Sequence, residues 1–252
     1  MSRQLPGAPP ETTVIFVRHG NVHNPGNLIY GRLPRMRLST RGRDDIERTA
    51  RYLADVPLAA IYTSPLLRAR QSAAIIARYH PDVPLRQLAG LVEVRTSWEG
   101  ESNRVVGETR GFSYYDPLKG AGDETILDVF SRMNRSLRLV LRRHPGRQTV
   151  CVSHGDPIKI LRIGYSGRAL TAANVRAPDP GQASMVAFRF WHRDALPIIS
   201  ALDLGMLERL ISGEHLTRAA EERRRRQREE EERLRQEAAE AEKEHSPDLR
   251  AS

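Results

Sequence analysis

Four short apolar runs, separated by stretches of helical length, constrain the fold of this chain most. They have the length of strands and end abruptly in polar or turn-forming residues, which is typical of buried strands, and Thr13–Val17 is also rich in β-branched residues. The runs are Thr13–Val17, Leu58–Ser64, Thr149–Ser153 and Met185–Trp191. Strands that alternate with helices predict an α/β fold with a largely parallel sheet.

Start signals for helices lie between these strands. Ser39 predicts the N-cap of a first helix that ends near Ala54. Pro65 predicts the first position of a second helix. Asp123 predicts the cap of a long helix that ends near Arg143.

The remaining segments carry weaker patterns. Residues 95–122 are rich in Gly, Ser and aromatic residues, and predict a long loop or small insertion. Residues 1–12 are rich in proline and predict a flexible leader without a secretory signal. Residues 213–252 predict a charged helical tail, partly disordered. A homodimer or a coiled-coil partner through this tail stays open, although Leu234 is the only large apolar residue within 218–244.

The charge of the chain predicts an anionic ligand. The 252 residues include 40 Lys/Arg and 31 Asp/Glu, a formal net charge of +9. Because residues 213–252 hold more acidic than basic groups, the positive excess lies in residues 1–212. That excess attracts phosphate esters, nucleic acid or anionic membranes.

The single cysteine, Cys151, excludes an internal disulfide framework and a cysteine-rich metal cluster. It agrees with a reducing, cytoplasmic location. No apolar run approaches the roughly 20 residues that a membrane-spanning helix needs. We therefore expect a cytoplasmic protein with no membrane partner.

Polar residues follow three of the predicted strands. Arg18 and His19 come directly after the first, Arg68 follows the second within a helical turn, and His154 follows the third. Because the carboxyl ends of parallel strands share one edge, these side chains should converge. Arginine forks match phosphate oxygens, and a neutral imidazole can attack phosphorus; nearby arginines should lower the histidine pKa.

Small residues and a further histidine accompany this cluster. Gly20 and Gly155 follow the two histidines and are expected to leave space for phosphate. His23 lies four residues from His19, but has no carboxylate or thiolate partner at ligand spacing. We therefore expect neither a metal nor another cofactor.

Five segments together resemble the histidine phosphatase superfamily, branch 1, whose fold is phosphoglycerate mutase-like. The resemblance implies a three-layer α/β/α sandwich and a histidine phosphatase domain over residues 13–212. The matching segments are in the family's order and read VRHGNVHN, LSTRGRDDIERTA, YTSPLLRARQSA, LAGLVEVRTSWEG and VSHGDPIKIL.

The resemblance also implies residue roles. His19 matches the nucleophile that becomes phosphohistidine, and Glu93 matches the general acid and base; with His154 they form the implied catalytic set. The implied phosphate-binding residues are Arg18, Arg68, Asn24, His154 and Gly155.

Two positions depart from the family pattern. Asn24 comes one residue earlier than the corresponding asparagine of the mutases. Asn21 stands where the family often has glutamate after Arg-His-Gly, which removes a carboxylate from the rim of the implied pocket.

The implied function is a metal-independent phosphatase that hydrolyses small-molecule phosphomonoesters through phosphohistidine. The alternative is phosphoglycerate mutase-type transfer, but mutases carry a longer insertion than Arg95–Val152 provides. A noncatalytic phosphate-ligand binding protein would not need the intact set of histidines, arginines and glutamate. Nucleic acid is not expected as a partner, because no motif combines aromatic and basic residues for stacking.

Overall fold

The structure is a computed structural model that describes residues 11–110, 114–115, 118–176, 181–192 and 196–202. The predicted tail and residues 1–10 of the predicted leader lie outside the described residues. The strands are β1 (Thr12–Arg18), β2 (Leu58–Thr63), β3 (Leu85–Gln87), β4 (Gln148–Ser153), β5 (Met185–Phe190) and β6 (Ile198–Leu202). The helices are α1 (Thr40–Leu53), α2 (Leu67–Ala77), α3 (Asn103–Arg110), α4 (Ile126–Arg143), α5 (Gly155–Tyr165) and α6 (Ala172–Arg176).

The six strands form one sheet in the order β3-β2-β4-β1-β5-β6. The first four are parallel, whereas β5 runs antiparallel to β1, and β6 antiparallel to β5. This confirms the α/β fold with a mostly parallel sheet. Strand β3 was not predicted. Its three residues are all exposed, so its sequence lacks the apolar pattern by which a buried strand is recognised.

Helices cover both faces of the sheet. In β1, Val14 and Phe16 face the core shared with α4 and α5, whereas Ile15 and Val17 face the core shared with α1 and α2. The central strands are therefore buried on both sides, and the three-layer α/β/α sandwich is confirmed. Within the described residues, no helix is long and apolar enough to span a membrane.

Two predicted helix starts were wrong by a few residues. Helix α2 begins at Leu67 rather than Pro65; the Ser64 hydroxyl accepts from the Leu66 amide (3.3 Å), so a turn intervenes between strand and helix. Helix α4 is capped by Thr125, which forms a capping box with Asp128.

Asp123 does not cap α4. Its carboxylate instead accepts from the Ser97 amide (2.6 Å) and hydroxyl (2.7 Å) and from the amides of Lys119 and Gly120. The surrounding segment 95–122 was predicted to be a long loop or a small insertion, and it contains helix α3. Asp123 thus fastens the segment that follows Glu93.

The strand register brings three strand ends to one place. Arg18 of β1 pairs with Ser153 of β4, and Thr63 of β2 pairs with Val152. The alignment continues one residue beyond β1 and β2. The His19 amide donates to the Ser153 carbonyl (3.1 Å), and the Ser64 amide donates to the Val152 carbonyl (2.9 Å). The residues after β1, β2 and β4 therefore meet at one edge of the sheet.

Candidate active site

A cavity of about 240 Å³ lies at this edge. Of the residues predicted to form the site, Arg18, His19, Glu93 and Gly155 line it. Arg68 and His154 are fully buried beside it. A larger cavity, about 440 Å³, lies at the opposite ends of the strands, where β1 and β4 begin, and includes none of the predicted site residues in its described lining.

His19 is held in one tautomer. Its Nδ1 is 2.8 Å from the Gly20 carbonyl oxygen, which can only accept, so Nδ1 carries the proton. Its Nε2 accepts a hydrogen bond from Arg68 Nε (3.1 Å). Burial lowers the pKa of His19 well below its usual value, and the charge of Arg68 adds to this shift. The imidazole is therefore neutral, with its lone pair on Nε2.

Arg68 is fully buried and fixed on several sides. Besides its bond to His19, its Nη2 donates to the Gly31 carbonyl (2.7 Å), and its guanidinium carbon lies 4.8 Å from the centre of the Tyr30 ring. Nη2 is also 4.0 Å from Glu93 Oε2. The side chain has little freedom, so it presents a fixed positive charge next to Nε2 of His19.

Gly155 allows Arg18 to reach the cavity. A Cβ atom at position 155 would lie 3.0 Å from the guanidinium carbon of Arg18, so the arginine packs directly on the glycine backbone. Gly20 has another role, and the expectation that it leaves space for phosphate is wrong. A Cβ there would lie 2.2 Å from the Gly42 carbonyl oxygen, so Gly20 instead permits close approach of α1.

His154 faces Glu93. Its Nε2 is 2.8 Å from the Ser64 hydroxyl, and its Nδ1 is 3.8 Å from Glu93 Oε2. Its ring centre lies 5.0 Å from that of His19. Burial lowers the pKa of His154 well below its usual value, and Arg68 adds to the shift, so this imidazole is also neutral.

Glu93 is poised to exchange a proton. Burial and, next, the charge of Asp156 raise its pKa to about 6, although the charge of Arg68 opposes the shift. Its Oε1 accepts from the Val94 amide (2.9 Å), which fixes the carboxyl group. A carboxyl group with this pKa can serve as both acid and base near neutral pH.

Sequence reasoning missed the residues that hold Glu93 in place. Arg32 Nε (2.7 Å) and Arg132 Nη2 (3.2 Å) both donate to the Glu93 carbonyl oxygen. Glu124 accepts from both arginines, at 2.8 to 3.0 Å. We call Arg32, Glu124 and Arg132 the clamp. One of these residues could have been recognised from the sequence. Arg132 lies on the apolar stripe of α4, between Val129 and Met133, and a charged residue in such a stripe indicates a buried polar partner.

Asn24 is not brought to the cavity. Its amide group donates to the Leu28 carbonyl (2.8 Å), and its carbonyl accepts from the Leu28 amide (3.1 Å), so the side chain closes a turn. The phosphate-binding role predicted for Asn24 therefore has no support in this arrangement. His23 is exposed and is also absent from the described lining.

Three side chains could in principle hold a metal ion. Ligand atoms of His19, Glu93 and His154 lie within 4.8 Å of one another. The Arg68 guanidinium, however, bonds His19 and lies 4.0 Å from Glu93, so a metal cation would face a buried positive charge. The donor set fits an anion better than a cation.

Comparison with known proteins assigns this arrangement to a family. The family model of the histidine phosphatase superfamily (branch 1) matches residues 14–196, most of the chain. The chain belongs to this superfamily. An uncharacterized protein of Mycobacterium tuberculosis is 36% identical over 170 residues, which cover 64% of this chain and 82% of that protein.

Other histidine phosphatase-like proteins are more distant. An uncharacterized phosphatase of Bacillus subtilis, PhoE, is 27% identical over 163 residues, 62% of this chain and 78% of its own length. The solved structure of a mycobacterial glucosyl-3-phosphoglycerate phosphatase matches with a TM-score of 0.66 and 20% identity, over 77% of this chain and 99% of that one. At that identity the likeness shows the fold.

In this member of the histidine phosphatase superfamily, Asn21 joins elements around the site. Its amide donates to Gln182 Oε1 (2.9 Å), and its Oδ1 accepts from the hydroxyl of Ser39, which caps α1. The asparagine that replaces the family's frequent glutamate thus connects the end of β1 to the start of α1.

Proposed function

We propose that this chain is a phosphatase that hydrolyses phosphomonoesters through a phosphohistidine formed on His19, without a metal ion. The observation that carries the proposal is a set of buried donors without partners. Within the described residues, Arg18 Nε, Arg68 Nη1 and His154 Nδ1 are buried and have no hydrogen-bond partner. Leaving such groups unpaired costs about 1–3 kcal/mol each, which a ligand rich in acceptor oxygens would offset.

Phosphate supplies such oxygens. Arg68 Nε lies 3.1 Å from His19 Nε2, the His154 ring centre lies 5.0 Å from that of His19, and Arg18 lines the same cavity as His19. These groups, with the proton of His154 on Nδ1, would bind the phosphoryl oxygens while the phosphorus faces His19. The two guanidinium groups would also neutralise charge that spreads over these oxygens in the transition state.

In the first step, the hydrogen bond from Arg68 Nε to His19 Nε2 is released, and the freed lone pair of Nε2 attacks phosphorus. The new N–P bond forms as the ester P–O bond breaks, and the protonated Glu93 carboxyl gives its proton to the leaving oxygen. The hydrogen bond from Nδ1 to the Gly20 carbonyl stabilises the charge that develops on the imidazole.

In the second step, Glu93 accepts a proton from water, and the water oxygen attacks phosphorus. The N–P bond breaks, its electron pair returns to Nε2, and inorganic phosphate leaves. A pKa of about 6 suits both roles of Glu93, because neither protonation state is strongly disfavoured. The Bacillus subtilis relative is named a phosphatase, which agrees with hydrolysis.

The test is hydrolysis of p-nitrophenyl phosphate in the presence of EDTA. We expect turnover by the natural chain and its loss in His19→Ala, whereas the control His23→Ala, at an exposed histidine, keeps full activity. Rapid denaturation during turnover should trap an acid-labile, alkali-stable phosphate on the protein. Full activity of folded His19→Ala would refute the mechanism. Isomerisation of 3-phosphoglycerate faster than its hydrolysis would instead identify a mutase.

A further inference from the structure

A second carboxylate lines the cavity next to the proposed general acid. Asp156 is the second residue of α5, directly after Gly155, and belongs to the lining together with Glu93. Its Oδ2 accepts a hydrogen bond from the Tyr115 hydroxyl (2.9 Å), which fixes its orientation. The proposed two-step hydrolysis makes no use of this group.

The position of Asp156 relative to Glu93 indicates which part of a substrate would contact Asp156. Glu93 must contact the leaving oxygen, so it marks the side of the cavity where the alcohol part of the ester lies. The charge of Asp156 is, after burial, the largest cause of the raised pKa of Glu93, which agrees with two carboxylates on the same side. Atoms next to the leaving oxygen would therefore lie beside Asp156.

The cavity lining and the buried groups beside it therefore carry both signs of charge. Arg18 and Arg68 supply positive charge around His19, and fit the phosphoryl group. Glu93 and Asp156 contribute two carboxylates to the lining, which also includes Tyr114, and the Tyr115 hydroxyl bonds Asp156. An ionised carboxylate only accepts hydrogen bonds, so it attracts ammonium or hydroxyl groups and repels a second anion.

We propose that Asp156 determines substrate selection: it favours phosphomonoesters whose alcohol carries an ammonium or hydroxyl group within two carbons of the ester oxygen, and rejects those with an anionic group there. This inference rests on the proposed function, since it takes the leaving-oxygen side from the role of Glu93. It also disfavours phosphoglycerates, whose carboxylate would approach Asp156.

A purely structural role is the competing explanation. A carboxylate in the first turn of α5 also stabilises the helix by interacting with its dipole. That role predicts a lower melting temperature on substitution, but no change in the relative use of two substrates. The ratio of rates for a matched substrate pair therefore separates the two roles.

The test compares phosphoethanolamine with phosphoglycolate, which are similar in size but carry an ammonium group and a carboxylate near the ester. We expect the natural chain to prefer phosphoethanolamine in kcat/KM by about tenfold or more. Asp156→Asn should reduce this preference by about tenfold, and Tyr115→Phe should reduce it less. Asp44→Asn, the same change at an exposed position on α1, should leave the preference intact.

p-Nitrophenyl phosphate, which has neither group, separates this inference from the proposed function. If the natural chain hydrolyses it but shows the same preference as Asp156→Asn, the role of Asp156 is wrong and the phosphatase assignment stands. If the folded natural chain hydrolyses none of the three esters, the phosphatase assignment fails, and this inference fails with it.

Discussion

At the residue scale, Glu93 combines two properties that a general acid needs. Its carboxyl group is fixed by the Val94 amide, and burial raises its pKa to about 6. Protonation is required for the first step, so kcat/KM should fall as pH rises through about 6. At low pH, activity falls when His19 gains a proton and loses its free lone pair. Because the pKa of His19 is lowered, this fall should occur only at a pH well below the usual pKa of histidine. The pH optimum of kcat/KM is therefore expected to be mildly acidic.

Glu93→Gln should reveal this acid through the leaving group. An alkyl phosphate needs a proton on its departing oxygen, so kcat/KM should fall by about 10²–10⁴-fold. 2,4-Dinitrophenyl phosphate has a good leaving group that does not need a proton. The decrease in kcat/KM for this ester should therefore be about a hundredfold smaller than the decrease for the alkyl ester. The decline of activity above pH 6 should also disappear, apart from the ionisation of the substrate itself.

The matched control is Glu101→Gln, at an exposed carboxylate that pairs with Lys119 (2.9 Å). Steady-state kinetics of the three proteins on both esters measure the effect. Equal losses on the alkyl and dinitrophenyl esters in Glu93→Gln would show that Glu93 does not protonate the leaving oxygen.

At the scale of elements, the clamp joins α4 to the segment that carries Glu93. Besides its bond to the Glu93 carbonyl, Arg132 donates to the carbonyls of Gly90 (2.9 Å) and Val92 (2.6 Å), and Glu124 holds its guanidinium. Interrupting a partly buried charge network of this kind is costly, because it leaves charges unpaired. Its position indicates that α4 fixes where Glu93, the proposed general acid, lies.

Glu124→Gln should therefore act through Glu93. A displacement of about 1 Å can cost on the order of 10²-fold in rate, so kcat on an alkyl phosphate should fall by about tenfold or more with little change in KM. The loss on 2,4-dinitrophenyl phosphate should be much smaller, as for Glu93→Gln. Glu108→Gln, at an exposed pair with Arg104, is the control. If Glu124→Gln lowers the melting temperature but reduces kcat equally on both esters, the clamp stabilises the fold and does not position Glu93.

Much of the architecture at this scale could be predicted from the sequence. The runs that became β1, β2 and β4 are buried on both faces, so their apolar composition was unambiguous, and their polar ends necessarily share an edge. The antiparallel direction of β5 could not be predicted, since a buried strand has the same composition in either direction. Strand β3 is exposed and carries no pattern.

The site was predictable where sequence neighbours set the geometry, and not where distant contacts do. Arg18, His19 and His154 follow from strand ends. The clamp depends on contacts between segments up to 92 residues apart, such as Arg32 with Glu124, which no local pattern records. Gly20 was misread for the same reason, because its close neighbour, Gly42, lies on α1.

At the scale of the whole molecule, positive charge should assist the capture of anionic substrates. The chain carries a net charge of +9, and its excess lies in the part that contains the site. Salt screens exposed charges, with a Debye length of about 30 Å at 0.01 M and about 8 Å at 0.15 M. Arg68, which is fully buried beside the proposed phosphate position, is screened much less than the exposed arginines.

Raising NaCl from 0.01 to 0.15 M should therefore raise KM for a phosphomonoester about two- to fivefold, while kcat stays constant, because long-range attraction is lost but contacts in the cavity persist. Steady-state kinetics at fixed pH measure both constants. A matched control uses glycerol in place of salt, which changes viscosity but not screening. A KM that does not depend on salt would show that the buried arginines alone account for anion binding and that the overall charge of the chain serves another purpose.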